Sequence, residues 1–179
     1  MAEPSANDDD SGSPGIQSCM HARAAALIGM LELMPHSEGG YFGEVYRSAS
    51  RVQPLDGRSS RSALTTIYFL LVAGQVSRWH QVASDEVWHH YEGDPLELWI
   101  ADDGFTAATR RVLGPAGDDG RPVHVVRAHE WQAARSTGEY TLVGCTVGPG
   151  FEFADFAMLN ARQENGMALR ARPDLVDFL

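Results

Sequence analysis

The sequence predicts an all-β protein, an antiparallel sandwich or barrel with one leading helix. Three observations carry this reading. Roughly ten short apolar or alternating segments follow one another, at the spacing of an all-β domain. Turn-forming residues separate them: Ala73-Gly74, Glu92 to Pro95, Asp102 to Gly104, Asp118 to Gly120, Thr137-Gly138 and Gly148 to Gly150. A single early stretch carries helical periodicity.

Taken in order, residues 1–19 open with MAEPSANDDDSGSPGIQ, rich in Ser, Gly, Pro and Asp with almost nothing to bury, and are expected to be disordered. Residues 20–179 then form one domain, as the length suggests. From Met20 to Met34 the apolar residues Ala24, Leu27, Ile28, Leu31 and Met34 recur three and four apart, which predicts an amphipathic helix ended by Pro35. YFGEVYRS (Tyr41 to Ser48) alternates, ALTTIYFLLV (Ala63 to Val72) is continuously apolar, and PLELWIAD alternates again. TAATRRVL, PVHVVRA, WQAARS, YTLVGCTV and FEFADF supply further strands, and the tail is expected to start a short helix at Pro173.

Bulk properties narrow the function. A formal net charge of −10 argues against a nucleic-acid or anionic-lipid partner. Cys19 and Cys145 are far apart and form no metal-knuckle or disulfide framework, and Cys145, in an apolar strand, reads as core rather than nucleophile. No apolar run reaches membrane-spanning length and no export signal is visible, so a soluble, cytoplasmic protein is expected. No P-loop or dinucleotide fingerprint is present.

Chemistry concentrates in SRWHQVASDEVWHHYEG, Ser77 to Gly93, which holds three of the seven histidines. Alternate strand residues share a face, so His80 pairs with Val82, and Glu86 with Trp88 and His90, while His89 points away. If the strands on either side of the Ala-Ser-Asp turn form a hairpin, His80 and Glu86 face one cavity. A His with a carboxylate either binds a divalent metal or orients an imidazole as general base.

Gly74, His80, Val82, Glu86 and Gly93 match the spacing of the first cupin motif, G-x5-H-x-H-x3-4-E-x6-G, with Val82 in place of the second histidine. RAHEWQ occupies the place of the second motif, with Gln132 where the third histidine would stand. PHSEGGYFGEVYRS, ALTTIYFLL, SDEVWHHYEGDPLEL, WQAA and YTLVGCTVGPGFEFADF resemble the small cupin family of domain of unknown function 985, over roughly Leu31 to Phe156. EGGYFGE and WHQ are more distantly similar to the dTDP-sugar 3,5-epimerases, metal-free cupins whose base maps onto His80.

The resemblance implies a cupin barrel of jelly-roll type, usually a homodimer, with a small-molecule pocket in its mouth. His80, Glu86 and Gln132 are the candidate catalytic residues, for isomerisation, epimerisation or elimination. In a metal version His80, Glu86, Gln132 and His89 or His90 hold one divalent ion (Zn, Ni, Mn or Fe); in the epimerase-like version no cofactor is needed. A non-catalytic ligand-binding cupin and a metal-dependent dioxygenase are the alternatives. Tyr41, Glu44, Tyr46, Arg47, Trp88, His90 and His36 are candidate substrate contacts, with Glu44 and Tyr46 on one strand face and Arg47 available to clamp an anionic group. Trp79, Trp88, Trp99 and Trp131 read as core or pocket wall, and His21 and His124 as structural or surface residues.

Overall fold

The computed structural model describes residues 20–159, 169–170 and 172–179. The segment expected to be disordered, 1–19, and Cys19 within it lie outside the described residues. Helix α1 spans Ala22–Met30 and packs Ala24 and Leu27 onto Leu70, Val72 and Leu142. It stops before Pro35 because Glu32 takes a left-handed conformation (φ 53) and the Leu33 amide bonds back to the Ile28 carbonyl. That arrangement satisfies the last carbonyls and turns the chain, freeing Met34 and Pro35 to start a strand.

Among the described residues thirteen strands follow: β1 Met34–Pro35, β2 Tyr41–Arg47, β3 Arg51–Val52, β4 Arg61–Ser62, β5 Thr65–Val72, β6 Val76–Val82, β7 Asp85–Gly93, β8 Leu96–Ala101, β9 Ala108–Leu113, β10 Val123–Val126, β11 Trp131–Ser136, β12 Tyr140–Gly148 and β13 Phe156–Met158. They form a six-stranded sheet, β1-β2-β5-β12-β7-β10, a five-stranded sheet, β13-β6-β11-β8-β9, and the small pair β3-β4. Every ladder between these strands is antiparallel. The two large sheets face one another across a core containing Phe69, Leu71, Trp88, Leu98, Val126, Val143 and Cys145. β5 reads as a continuous apolar run because it is covered on both faces: Phe69 and Leu71 enter this core, Leu70 and Val72 lie under α1.

The five-stranded sheet is covered on its outer face too. Trp79 and Trp131 point outward there and bury Leu169, Leu175 and Phe178 of the C-terminal segment, with the Trp79 indole donating to the Leu175 carbonyl at 3.0 Å. The tail forms a 3-10 turn at Val176–Phe178 rather than a helix from Pro173. FEFADF is likewise not one strand: a 3-10 turn, Phe153–Asp155, precedes β13.

The expected hairpin around Ala83 and Ser84 is absent. β6 pairs with β11 and β13, whereas β7 pairs with β10 and β12, so the short link carries the chain from one sheet to the other. His80 and Glu86 therefore line the cavity from opposing sheets rather than from neighbouring strands.

The Phe153–Asp155 turn is pinned by a buried ion pair. Arg61, 2% exposed, pairs with Asp155, while Arg58 reaches the same carboxylate at 3.2 Å and Ser84 Oγ at 3.0 Å. Removing one partner of a buried pair leaves a charge without compensation, at a cost of about 3–5 kcal/mol. Arg61→Met is expected near the lower end, since Arg58 remains, and urea unfolding of the variant measures it.

Candidate active site

A cavity of about 110 Å³ opens between the sheets at the end where the β6–β7 link crosses. That is room for several waters or a small ligand. His36, Glu38, His80, Glu86 and Cys145 supply its polar and sulfur groups; Phe42, Phe69, Phe151, Phe153 and Phe156 contribute aromatic walls; Glu44, Arg47 and Glu152 also line it.

The loop between β1 and β2 delivers Glu38. Its path lies tight against β6: a Cβ on Gly39 would sit 2.0 Å from the Val76 carbonyl oxygen, and Gly39 has φ 117, so no other residue fits. The Arg78 amide donates to the Glu38 carbonyl at 2.9 Å and locks the loop to the strand. Glu38 is then wholly buried beside Ser77, whose hydroxyl donates to Oε1 at 2.9 Å. Its other oxygen lies 3.3 Å from His80 Nε2 and 3.5 Å from His36 Nδ1.

His80 is fixed by its second nitrogen. Nδ1–H donates to the Arg78 carbonyl at 2.7 Å, which leaves Nε2 of the neutral ring with a free lone pair toward Glu38. Burial pulls the imidazole below its usual range, opposed by the charge of Glu86. Burial also holds His36 low, against the pull of Glu38. The Glu38 carboxyl is pushed up to about 7, chiefly by desolvation, with His36, Ser77 and Arg78 acting against it. Glu38 and His80 thus form a buried pair able to hold one proton between Oε2 and Nε2 near neutrality.

Glu86 comes from the opposite sheet. Burial raises its carboxyl, and Gln132 Nε2 donates to it at 2.6 Å. The Cys145 thiol, raised well above its usual range by burial, lines the same cavity.

Residues 25–159 match the family described as Cupin superfamily (DUF985). The chain belongs to that family. A solved structure of a hypothetical protein from Leishmania major is similar at 29% identity, covering 87% of this chain and 96% of that one, with a TM-score of 0.75. A protein from Shewanella oneidensis gives 29% identity, the same coverage of both chains and a TM-score of 0.77. A Bacillus subtilis oxalate decarboxylase variant shares the fold at 16% identity and TM-score 0.52, over 76% of this chain and 33% of its own. No curated protein matches the chain in sequence. Among the described residues no helix is long and apolar enough to cross a membrane.

Of the sequence-derived site residues, this cupin gathers His36, Glu44, Arg47, His80 and Glu86 on the cavity. Glu44 and Arg47 meet there because a bulge at Val45 shifts the β2 register, which sends Tyr46 outward, 52% exposed, instead of onto the face of Glu44. Arg47 is not free for a ligand: Glu44 takes it bidentately at 3.1 and 2.8 Å, and Nη1 reaches the Phe151 carbonyl and Glu152 at 3.2 and 3.4 Å. Tyr41 packs under α1 instead of entering the cavity. Trp88 is core, and its indole donates to Gln132 Oε1 at 2.9 Å. His90 directs Nε2 to the Asp94 carbonyl, and His89 stacks on Tyr91 on the far face of β7.

These placements decide the fit of the metal set. Gln132 spends its oxygen on Trp88 and its nitrogen on Glu86, His89 is remote, and Val82 has no donor atom. Among the described residues no group of three or more His, Cys, Asp or Glu side chains is arranged to hold a metal ion. The four expected ligands do not converge.

Glu38 was not singled out by spacing, and neither were the phenylalanines. Its signal in the sequence is slight: one acid immediately before Gly39-Gly40, ahead of a strand. The raised carboxyl has a consequence for stability. The native state binds this proton more tightly than the unfolded chain, so its stabilising contribution is full below the usual value of 4.5 and is lost as pH rises toward about 7. The shift corresponds to about 3 kcal/mol. His36 and His80, both lowered, act oppositely, losing stability as pH falls below 6.5. The stability difference between wild type and Glu38→Gln is therefore expected to move by about 3 kcal/mol against wild type from about pH 4 to about pH 8, measured by urea unfolding.

Proposed function

We propose that this cupin is an enzyme that moves a proton on a small polar metabolite, at a carbon next to a carbonyl or similar activated group. The observation that carries the reading is the Glu38–His80 pair: a buried carboxyl and a neutral imidazole, 3.3 Å apart, both on the cavity. Carboxylic acids brought near pH 7 by burial suit general acid–base work, since both protonation states are populated. The unprotonated pair accepts the substrate's proton and holds it between Oε2 and Nε2. Delivery of a solvent-derived proton to the same carbon from its other face, by a second acid or water, gives epimerisation; return of the pair's proton, after exchange with solvent, to a neighbouring carbon gives isomerisation; loss of a leaving group instead gives elimination. Burial raises the Glu86 carboxyl, and in its protonated form it can donate a hydrogen bond to the developing oxyanion.

Incubation of the protein with a panel of carbonyl-bearing metabolites in D2O tests this. Incorporation of one solvent deuterium, read by mass spectrometry and dependent on Glu38 and His80, supports the reading. A ligand that raises the melting temperature yet never exchanges or reacts identifies a binding module instead.

A further inference from the structure

The charge and ring chemistry of the cavity restrict its ligand further. Its residues include four carboxyls, Glu38, Glu44, Glu86 and Glu152, against one guanidinium, Arg47. Arg47 is already engaged by Glu44, Glu152 and the Phe151 carbonyl. An incoming carboxylate or phosphate would have to break that cluster and would meet the charges of Glu44 and Glu152 there. Anions are disfavoured at the mouth.

The mouth favours the opposite charge. Glu44 and Glu152 are each 44% exposed in their side chains, and together they outnumber Arg47 by one charge. Beside them Phe151 and Phe153 meet at 5.2 Å with their planes 79° apart, and Phe151 and Phe156 at 6.0 Å and 67°. Phe153 is 66% exposed, with Phe151 its ring neighbour. Steeply inclined aromatic faces next to carboxylates attract a cation by their ring quadrupoles as well as by charge. A neutral ligand of the same shape gains only the apolar contact.

We infer that the ligand of this cavity is a small organic cation, its ammonium group held at the mouth by Phe151, Phe153, Phe156, Glu44 and Glu152. The inference rests on the cavity being the ligand site of the preceding section, but it does not depend on turnover. The cationic end sits at the mouth and leaves the rest of the molecule directed toward Glu38, His80 and Glu86.

Three probes of nearly one shape separate the possibilities: choline, its neutral carbon isostere 3,3-dimethylbutan-1-ol, and the anion 3,3-dimethylbutanoate. Each is titrated at millimolar concentration and fixed ionic strength into the full-length protein, by calorimetry and by melting-temperature shift. Binding of choline alone, weakened about threefold to tenfold in Glu152→Gln and again in Phe153→Leu, is the expected result. Both positions are exposed, so the variants are expected to fold, and unchanged melting curves without ligand check this. Equal affinity for the neutral isostere, preference for the anion, or no binding of choline overturns the inference. Deuterium exchange on a neutral or anionic substrate overturns it while leaving the proton-transfer reading intact. Cation binding with no exchange on any cationic carbonyl compound does the reverse.

Discussion

Glu38→Gln is expected to slow substrate proton exchange by about 10²–10⁴-fold, the range associated with loss of a general acid or base. The substitution keeps the size of the side chain and leaves an oxygen to accept the Ser77 hydroxyl at Oε1. What it removes is the group that shares a proton with His80 Nε2. His80→Ala is expected to lose a comparable factor, and the double variant little more than either, because the two act as one unit. The pH profile separates this role from a merely structural one. Wild-type exchange that requires the unprotonated pair rises through the region of pH 7, where the Glu38 carboxyl titrates. In Glu38→Gln that rise should vanish along with the rate. Deuterium incorporation at several pH values measures both, and a wild-type rate in Glu38→Gln would remove Glu38 from the mechanism.

The barrel and one half of this pair were legible in the sequence; the other half was not. Strand periodicity and turn chemistry identified β5, β8, β11 and β12 nearly to the residue, because apolar alternation reports burial directly. His80 and Glu86 stood out because both lie in a short, ordered spacing. The assumed hairpin between them was wrong, since spacing along the chain does not say which sheet each strand joins. Val45 shows the same limit at smaller scale: one bulged residue reverses the face of everything after it, so Arg47 rather than Tyr46 reaches the cavity beside Glu44. Glu38 was hidden for a different reason. It comes from a loop some forty residues before His80, and only the close approach of Gly39 to Val76 brings the two together. Loop residues carry no periodicity, so tertiary contact alone reveals their role.

Gln132→Ala is expected to cost about 3 kcal/mol of stability, within the usual range for exposing unsatisfied buried groups and leaving a small void. Gln132 is the second residue of β11, opposite both Ile100 of β8 and His80 of β6, and is 1% exposed. Its amide ties the two sheets together: Oε1 accepts the Trp88 indole at 2.9 Å, and Nε2 donates to Glu86 at 2.6 Å. Alanine strands a buried indole N–H and a buried carboxyl oxygen in one step. The loss corresponds to a fall in melting temperature of about 6–12 °C for a chain of this size. It also takes away a bond that lowers the Glu86 carboxyl, so Glu86 should titrate still higher. A residue acting solely as metal ligand or oxyanion donor would behave differently, giving a protein that melts normally and lacks activity. Calorimetric melting of Gln132→Ala beside its exchange rate therefore distinguishes the two roles. Gln132→Met sharpens the comparison: it refills the volume without restoring either hydrogen bond, so a loss that persists there belongs to the stranded polar groups and not to the void.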